Sequence, residues 1–278
     1  MKLGKIYISS LGALVTIAFG CASTPTAVTN STGAASAASN TTNQRHPDIK
    51  PIKDSHALAE LKAMSDALTA ASTLRFTAMA LKPLRGPNDQ WVHIMTSANV
   101  EMQRPNQLFI STGGDAFPQR IYFDGKNFSV HATETKLYSI QPMQGKDIDG
   151  MLAQASKDGG VTFSFADLLL KDPWASWTHD LEGALFIGES NRNGEKLNHI
   201  ALTASDVDWE IWTDQKTHLP RVVYVKYVGV HRTPALMIEF SNWKLGTKIP
   251  ASDFSFKAPA DSKRVSFAAP GEKNNEKQ

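Results

Sequence analysis

The chain has 278 residues, of which 41% are hydrophobic and 20% are charged, and its formal net charge is +2. This length and composition are sufficient for the core of one ordinary globular domain. The nearly balanced charge, without a basic stripe, argues against a nucleic-acid-binding protein.

The first twenty residues are typical of a secretory signal peptide. Lys2 and Lys5 give the segment a positive start, and the short apolar run IYISSLGALVTIAFG follows them. Serine and glycine interrupt this run, and it is shorter than a typical transmembrane helix. We therefore predict that residues 1–20 are a signal peptide and that the protein is exported.

Cys21, the single cysteine of the sequence, stands directly after the apolar run and cannot form an internal disulfide. The stretch IAFGC resembles a bacterial lipobox, although Ala18 and Phe19 depart from the usual residues. The resemblance implies acylation at Cys21, with chains such as palmitate anchoring the protein to a membrane. Ala22 at the next position implies the periplasmic side of the outer membrane. The alternative is ordinary signal-peptide cleavage, which would give a soluble periplasmic protein.

Both ends of the remaining chain have compositions that cannot bury a core. Residues 21–51 consist mostly of alanine, serine, threonine and asparagine, and residues 269–278 read APGEKNNEKQ. Such segments behave as flexible chains. We predict a disordered tether over 21–51, a folded domain over 52–268 and a disordered tail over 269–278.

The folded part opens with a predicted helix. Apolar residues recur at three- and four-residue spacing from Leu58 to Leu68, and Asp54 or Ser55 can cap the first turn. A helix of this kind buries one stripe and must therefore lie on an apolar surface.

A series of predicted strands follows the helix. In WVHIMTSANVEM, alternation places Val92, Ile94 and Val100 on one face, and QRIYFDGKNFSVH is a hairpin that turns on Asp124–Gly125. The other strands predicted before residue 143 are LRFTAMALK, the run after RPNQ, and KLYSIQP.

The pattern becomes helical in the middle of the chain and then returns to strands. We predict a helix from Ile148 through Ala155, stopped by Gly159, and a second helical piece, SFADLLLKDPWASW, broken near Pro173. The later strands are GALFIGES, EKLNHIALTA, VDWEIWT, LPRVVYVKYV and ALMIEFSNWKL, and a final DFSFKAP closes the domain. The fold class is therefore mainly β (α+β), with helices on the apolar side of a curved sheet or incomplete barrel.

The hairpin around VDWEIWTDQKTHLP separates an apolar face from a wet one. Trp209 and Ile211 share the first face, and Asp208, Glu210 and Trp212 share the second. Carboxylates on the wet face of a half-buried sheet need no catalytic explanation. His218 stands where a turn favours the left-handed conformation, and we interpret it as a turn residue.

An ordered set of segments resembles the DUF2092 family of periplasmic proteins, within the LolA/LolB-like superfamily of lipoprotein localisation factors. The segments are ALAELKAMSDAL, YFDGKNFSVH, FADLLLKDPWASW, DVDWEIW, LPRVVYV and SNWKL with FSFKAP. The resemblance implies an unclosed antiparallel β half-barrel whose concave face is covered by an N-terminal helix and a short helical insertion. It also implies a cavity that holds lipid or acyl chains in relatives, and it offers no catalytic residues to carry over.

Motifs for other chemistries are weak. The nearest approach to a metal cluster is His199 with Asp206 and Asp208, and GESNR has Arg192 where a serine-hydrolase elbow needs glycine. No glycine-rich loop is followed by the helix and lysine of a phosphate site. We predict no metal, no cofactor and no enzymatic activity.

The aromatic residues carry the functional signal that remains. Small-molecule sites are usually apolar pockets, and a half-barrel covered by helices can enclose such a pocket. The segment 147–177 is the predicted lid, with Trp174 and Trp177 closing over a ligand. The predicted hydrophobic ligand-binding residues are Trp91, Phe109, Phe123, Trp174, Trp177, Trp209, Ile211 and Phe240.

Two functions follow from these observations. The first is a non-enzymatic cell-envelope lipoprotein that is tethered to the membrane through acylated Cys21 and binds a lipid or acyl chain. The alternative is an envelope scaffold with a filled core. Its function would lie on the outer face, where an exposed apolar patch would bind a protein partner. The sequence names neither the ligand nor a partner.

Overall fold

The computed structural model describes residues 50–267. The predicted signal peptide, Cys21, the tether before Lys50 and the tail over 269–278 lie outside the described residues. The helices are α1 (Ser55–Ala70), α2 (Ile148–Gly159), α3 (Ala166–Leu169) and α4 (Pro173–Thr178). The strands are β1 (Thr73–Arg85), β2 (Trp91–Gln103), β3 (Gln107–Gly114), β4 (Gln119–Phe123), β5 (Asn127–Ala132), β6 (Leu137–Pro142), β7 (Gly183–Arg192), β8 (Glu195–Thr203), β9 (Val207–Asp214), β10 (Pro220–Tyr227), β11 (Ala235–Leu245) and β12 (Lys263–Arg264).

All the strands belong to one unclosed sheet. Their order is β12-β6-β5-β4-β3-β2-β1-β11-β10-β9-β8-β7, antiparallel except that β12 runs parallel to β6. The predicted fold class is confirmed: the protein is an open half-barrel with α1 and the helical insertion on its concave face. Within residues 50–267, no helix has the length and hydropathy needed to span a membrane.

Alternation along the strands separates the two faces. Phe76 and Ala78 of β1 lie opposite Val100 and Ala98 of β2, and all four are buried. Paired residues share a face, so the predicted apolar side of β2 is the inner, concave face. We call this the inner face and its reverse the outer face.

Helix α1 is fixed at its first turn. Asp54 is the N-cap, and its carboxylate accepts a hydrogen bond of 2.7 Å from the backbone N–H of His56, which lowers the pKa of Asp54. The chain before the helix runs beside β7, because the N–H of Ala184 donates to the carbonyl of Ile52 at 2.7 Å. Leu61, Met64 and other stripe residues are then buried against the sheet.

The helical insertion differs from its prediction in two details. Helix α2 begins at Ile148 as predicted but continues to Gly159, where Gly160 ends it in the left-handed conformation. Pro173 begins α4 and does not break a helix, because proline lacks only an N–H that the first turn leaves unpaired. The guanidinium of Arg104, just after β2, donates to the carbonyls of Leu169 and Leu170.

Two turns test the predictions made for them. His218 has a φ of 56°, which confirms its left-handed turn position. The β4–β5 turn is centred on Gly125–Lys126, one residue later than predicted. The reason is that the carboxylate of Asp124 accepts hydrogen bonds from the backbone N–H groups of Lys126 and Asn127, which makes Asp124 the first residue of the turn.

The C-terminal segment closes the domain without adding a long strand. DFSFKAP forms the end of a 3₁₀ helix (Ala251–Phe254) and an irregular stretch. Phe256 packs on the outer face, with ring centroids 5.5 Å from Tyr122 and 5.3 Å from Tyr138. The chain then passes the β6 edge, and Phe267 contacts Phe128 of the inner face.

Candidate ligand-binding site

Side chains fill the middle of the half-barrel. Phe76 of β1 has ring centroids 5.5 Å from Phe165, 5.8 Å from Phe240 and 4.5 Å from Trp243. Phe165 comes from the helical insertion, so this cluster joins the insertion to the sheet. Such edge-to-face and tilted pairs stabilise a core beyond the area that they bury.

Three predicted ligand residues lie inside this packed core. Phe123 and Ile211 are 0% exposed and Phe240 is 4% exposed. They face inward, and other protein side chains surround them. A ligand would reach them only if the core opened.

Three others lie at the border of the core. Trp174 and Trp177 of α4 and Trp209 of β9 are partly buried and pack against the core cluster. Trp174 lies beside α1, because its backbone N–H donates to Ser65 Oγ at 3.0 Å, whereas Trp209 pairs with Leu202 of β8. All three therefore border the packed core, Trp174 and Trp177 from α4 and Trp209 from the sheet.

The remaining two predicted residues lie elsewhere. Phe109 is on the outer face, opposite Tyr122, with a centroid distance of 5.0 Å. Trp91 lies at the tip of the β1–β2 hairpin, where its indole N–H donates to the carbonyl of His231. The cleft beside Trp91 holds about 130 Å³, well below the roughly 300–1,000 Å³ of small-molecule sites.

Burial falls along the inner face towards the end of the sheet that carries the tip of the β1–β2 hairpin. On β2, Met102 and Val100 are 0% and 1% exposed, whereas Ile94 is partly exposed and Val92 is 38% exposed. The helical insertion begins at the opposite end, where the N–H of Ile148 donates to the carbonyl of Pro105.

We call the less covered end of the inner face the open end. It is formed by partly exposed side chains from β1, β2, β9 and β10: Lys82, Leu84, Val92, Ile94, Trp209 and Tyr227.

Lys82 and Tyr227 are the polar members of the open end. Burial lowers the pKa of the Lys82 amine and raises the pKa of Tyr227 to about 12. Desolvation disfavours the charged form of each group. Sequence reasoning missed both, although Lys82 stands at an inward position of the alternating β1 pattern.

A buried polar cluster joins α1 to the far end of β8–β10. Glu60 is 5% exposed, and its carboxylate accepts hydrogen bonds from Thr213 Oγ1 at 2.5 Å and from Asn198 Nδ2 at 3.0 Å. His218 Nδ1 lies 3.1 Å from the same carboxylate. Sequence reasoning missed this cluster too, but Glu60 falls three residues after Ala57 and four before Met64, on the buried stripe.

The outer face of β9 carries Glu210 and Trp212, as predicted, and His199 of β8 lies beside them. His199 stacks on Trp212 with centroids 4.0 Å apart, and its Nε2 lies 2.9 Å from Glu210 Oε2. Among residues 50–267, no group of three or more histidine, cysteine, aspartate or glutamate side chains is arranged to hold a metal ion.

Comparison with solved structures gives several similar chains. An uncharacterised conserved protein of Thermus thermophilus is 9% identical, with a TM-score of 0.45, covering 76% of this chain and 99% of that one. Lipoprotein LppX of Mycobacterium tuberculosis is 14% identical, with a TM-score of 0.43 and coverages of 72% and 100%. The LolA superfamily protein NE2245 of Nitrosomonas europaea is 12% identical, with a TM-score of 0.32 and coverages of 72% and 97%. At these values the comparisons carry no functional argument.

Comparison with families is more specific. No functionally curated protein matches the sequence. One family model, described as a predicted periplasmic protein, matches residues 57–268, which include α1 from its third residue, α2 to α4 and β1 to β12. The chain therefore belongs to the DUF2092 family of predicted periplasmic proteins.

Proposed function

We propose that this protein is a non-enzymatic lipoprotein of the cell envelope that binds the acyl chain of a lipid at the open end of the half-barrel. The observation that carries the proposal is the incomplete cover of an apolar inner face. Leu84, Val92 and Ile94 point to the same side as the buried core but remain partly exposed. Burying such surface under an acyl chain is favourable, at about 25 cal/mol per Å².

The filled core sets how far a ligand enters. An acyl chain that enters from the open end meets the packed core, which Trp174 and Trp177 of α4 border, so it goes deeper only if α4 moves. Within α4, Pro173 is the one buried residue, whereas α1 buries six, including Leu61 and Met64. Elements with few buried contacts open at the lowest free-energy cost, which suits α4 for the role of a lid.

The lid leads to a prediction for a double variant. We expect Trp174→Ala with Trp177→Ala to weaken retention of a bound fatty acid by about tenfold or more, since each indole supplies apolar contact area at the lid. Retention is measured by the dissociation rate of a fluorescent fatty acid, and stability by urea denaturation. The matched control is Trp212→Ala, because Trp212 stacks on the outer face. Unchanged retention in the double variant would show that α4 is not a lid.

One observation favours the alternative of an envelope scaffold. A row of apolar side chains crosses the outer face in register, from Met95 through Leu81 and Met237 to Tyr224. Met95 and nearby Met79 are each 46% exposed. The scaffold function predicts that Met79→Lys with Met95→Lys abolishes binding of a protein partner. It also predicts that neither the unaltered protein nor the double variant binds lipid. The acyl-ligand proposal predicts full lipid binding in the double variant.

A further inference from the structure

Lys82 occupies an unusual position for a lysine. It pairs with Ile94 and lies between Ala80 and Leu84 along the inward-facing side of β1. Its neighbours on this face are therefore alanine, leucine and isoleucine. A charged amine in such surroundings loses hydration unless a partner compensates.

No anionic partner compensates it within the described residues. Lys82 forms no salt bridge or side-chain hydrogen bond with any of residues 50–267. Burial alone lowers the pKa of its amine, and no carboxylate contributes an opposing effect. By contrast, Lys62, Lys136 and Lys171 each lie near an aspartate.

Tyr227 provides a second polar group on the same inner surface. Its neighbour two residues earlier, Val225, pairs with both Trp209 and Leu236, which sets Tyr227 on the inner face. Among residues 50–267 its hydroxyl has no hydrogen-bond partner, and because its pKa is about 12 the group is a neutral donor at pH 7. One strand, β11, separates β1 from β10, so the two side chains arise from strands about 10 Å apart.

An ammonium and a phenol O–H on an apolar surface match one class of ligand. Both groups donate hydrogen bonds, and a carboxylate or phosphate accepts them strongly. The apolar residues around them, Leu84, Ile94 and Trp209, suit an alkyl chain. A neutral lipid would leave the amine without a partner.

We propose that Lys82 binds the anionic head group of a single-chain amphiphile, with Tyr227 as a second donor and the alkyl chain running along the inner face towards α4. The inference rests on the proposed function, because it places the head group of the same ligand. It adds the chemical class: a long-chain carboxylate or alkyl phosphate, with the head at the open end and the tail towards the lid.

The test compares three ligands that share a sixteen-carbon chain: palmitate, hexadecanol and hexadecyl phosphate. The protein is the full chain carrying Cys21→Ser, so that no acyl anchor competes, and affinities are measured by displacement of a fluorescent fatty acid. We expect palmitate to bind about tenfold or more tightly than hexadecanol, as a charge-assisted hydrogen bond implies. A phosphate preferred over palmitate by a similar factor identifies a phosphorylated lipid as the source of the head group.

Variants locate the effect. Lys82→Met should bring the ratio of palmitate to hexadecanol affinity close to one while hexadecanol still binds, which shows that the fold is intact. Lys82→Arg should keep the ratio. The matched control is Lys226→Met, because Lys226 lies on the outer face beside Tyr227 and is exposed.

Different results overturn the head-group assignment and the proposed function. Equal affinity for palmitate and hexadecanol in the protein with Lys82 intact, or an unchanged ratio in Lys82→Met, overturns the head-group assignment and leaves acyl binding in place. Absence of binding by all three ligands overturns the proposed function itself, and the head-group assignment with it.

Discussion

Phe123→Ala is expected to lower the free energy of unfolding by about 3–5 kcal/mol, the usual cost of emptying a buried phenylalanine site. Phe123 is 0% exposed and lies between Leu108 of β3 and Phe128 of β5, which are also 0% exposed. Each neighbour belongs to a rigid antiparallel ladder, so the site cannot collapse to fill the cavity. Urea denaturation followed by tryptophan fluorescence measures the change.

Phe117→Ala is the control for this loss, because Phe117 is 59% exposed. Its expected effect is within about 0.5 kcal/mol. The result also decides the role of Phe123, which sequence reasoning assigned to the ligand. A stable Phe123→Ala protein that loses fatty-acid binding would show that Phe123 contacts the ligand, and would contradict its assignment to the packed core.

The second large effect is expected at Glu60. Replacing it with alanine removes the acceptor of Thr213 and Asn198 in a buried site, and a buried donor without a partner costs about 1–3 kcal/mol. Because the cluster joins α1 to β8 and β9, we also expect faster hydrogen exchange of α1 amides. Glu60→Gln keeps one acceptor oxygen and should lose less.

The same helix supplies the control for Glu60. Asp66 pairs with Lys62 at 2.5 Å, but both side chains are about half exposed. Asp66→Ala should therefore cost about 0–1 kcal/mol, as surface pairs do. Equal losses for Glu60→Ala and Asp66→Ala would show that the buried cluster does not hold α1 on the sheet.

Regular patterns explain why much of the fold was predictable from the sequence. The alternation in WVHIMTSANVEM assigned the inner face of β2, and the spacing from Leu58 to Leu68 located α1. These periods of two and 3.6 follow from local geometry, so one strand or helix is enough to reveal them. The left-handed position of His218 was predictable for the same reason, since its turn residues are adjacent in the sequence.

The candidate site was less predictable, because it depends on pairing between distant strands. Period-two alternation placed Phe109 on a strand but did not say which of its faces would be covered. Phe109 lies on the outer face because its neighbours Leu108 and Ile110 point inward. Trp91 was assigned to the site as an aromatic residue of a strand, yet it lies at a hairpin tip, 140 residues from its hydrogen-bond acceptor His231.

Lys82 and Glu60 escaped prediction for a related reason. Each is a polar residue at a position whose local pattern is apolar, and the search for ligand residues followed aromatic side chains. The cost of burying such a group becomes visible only when its partners are known. Glu60 has three hydrogen-bonding neighbours, drawn from β8, β9 and the β9–β10 turn, whereas Lys82 has none within residues 50–267.

The most direct test of the acyl-ligand proposal is lipid extraction and mass spectrometry of the full chain carrying Cys21→Ser, purified without detergent. We predict a co-purifying single-chain lipid in roughly equimolar amount, consistent with one binding site at the open end. A ligand-free protein that also fails to take up a fluorescent fatty acid would contradict the proposal and direct attention to the apolar row of the outer face.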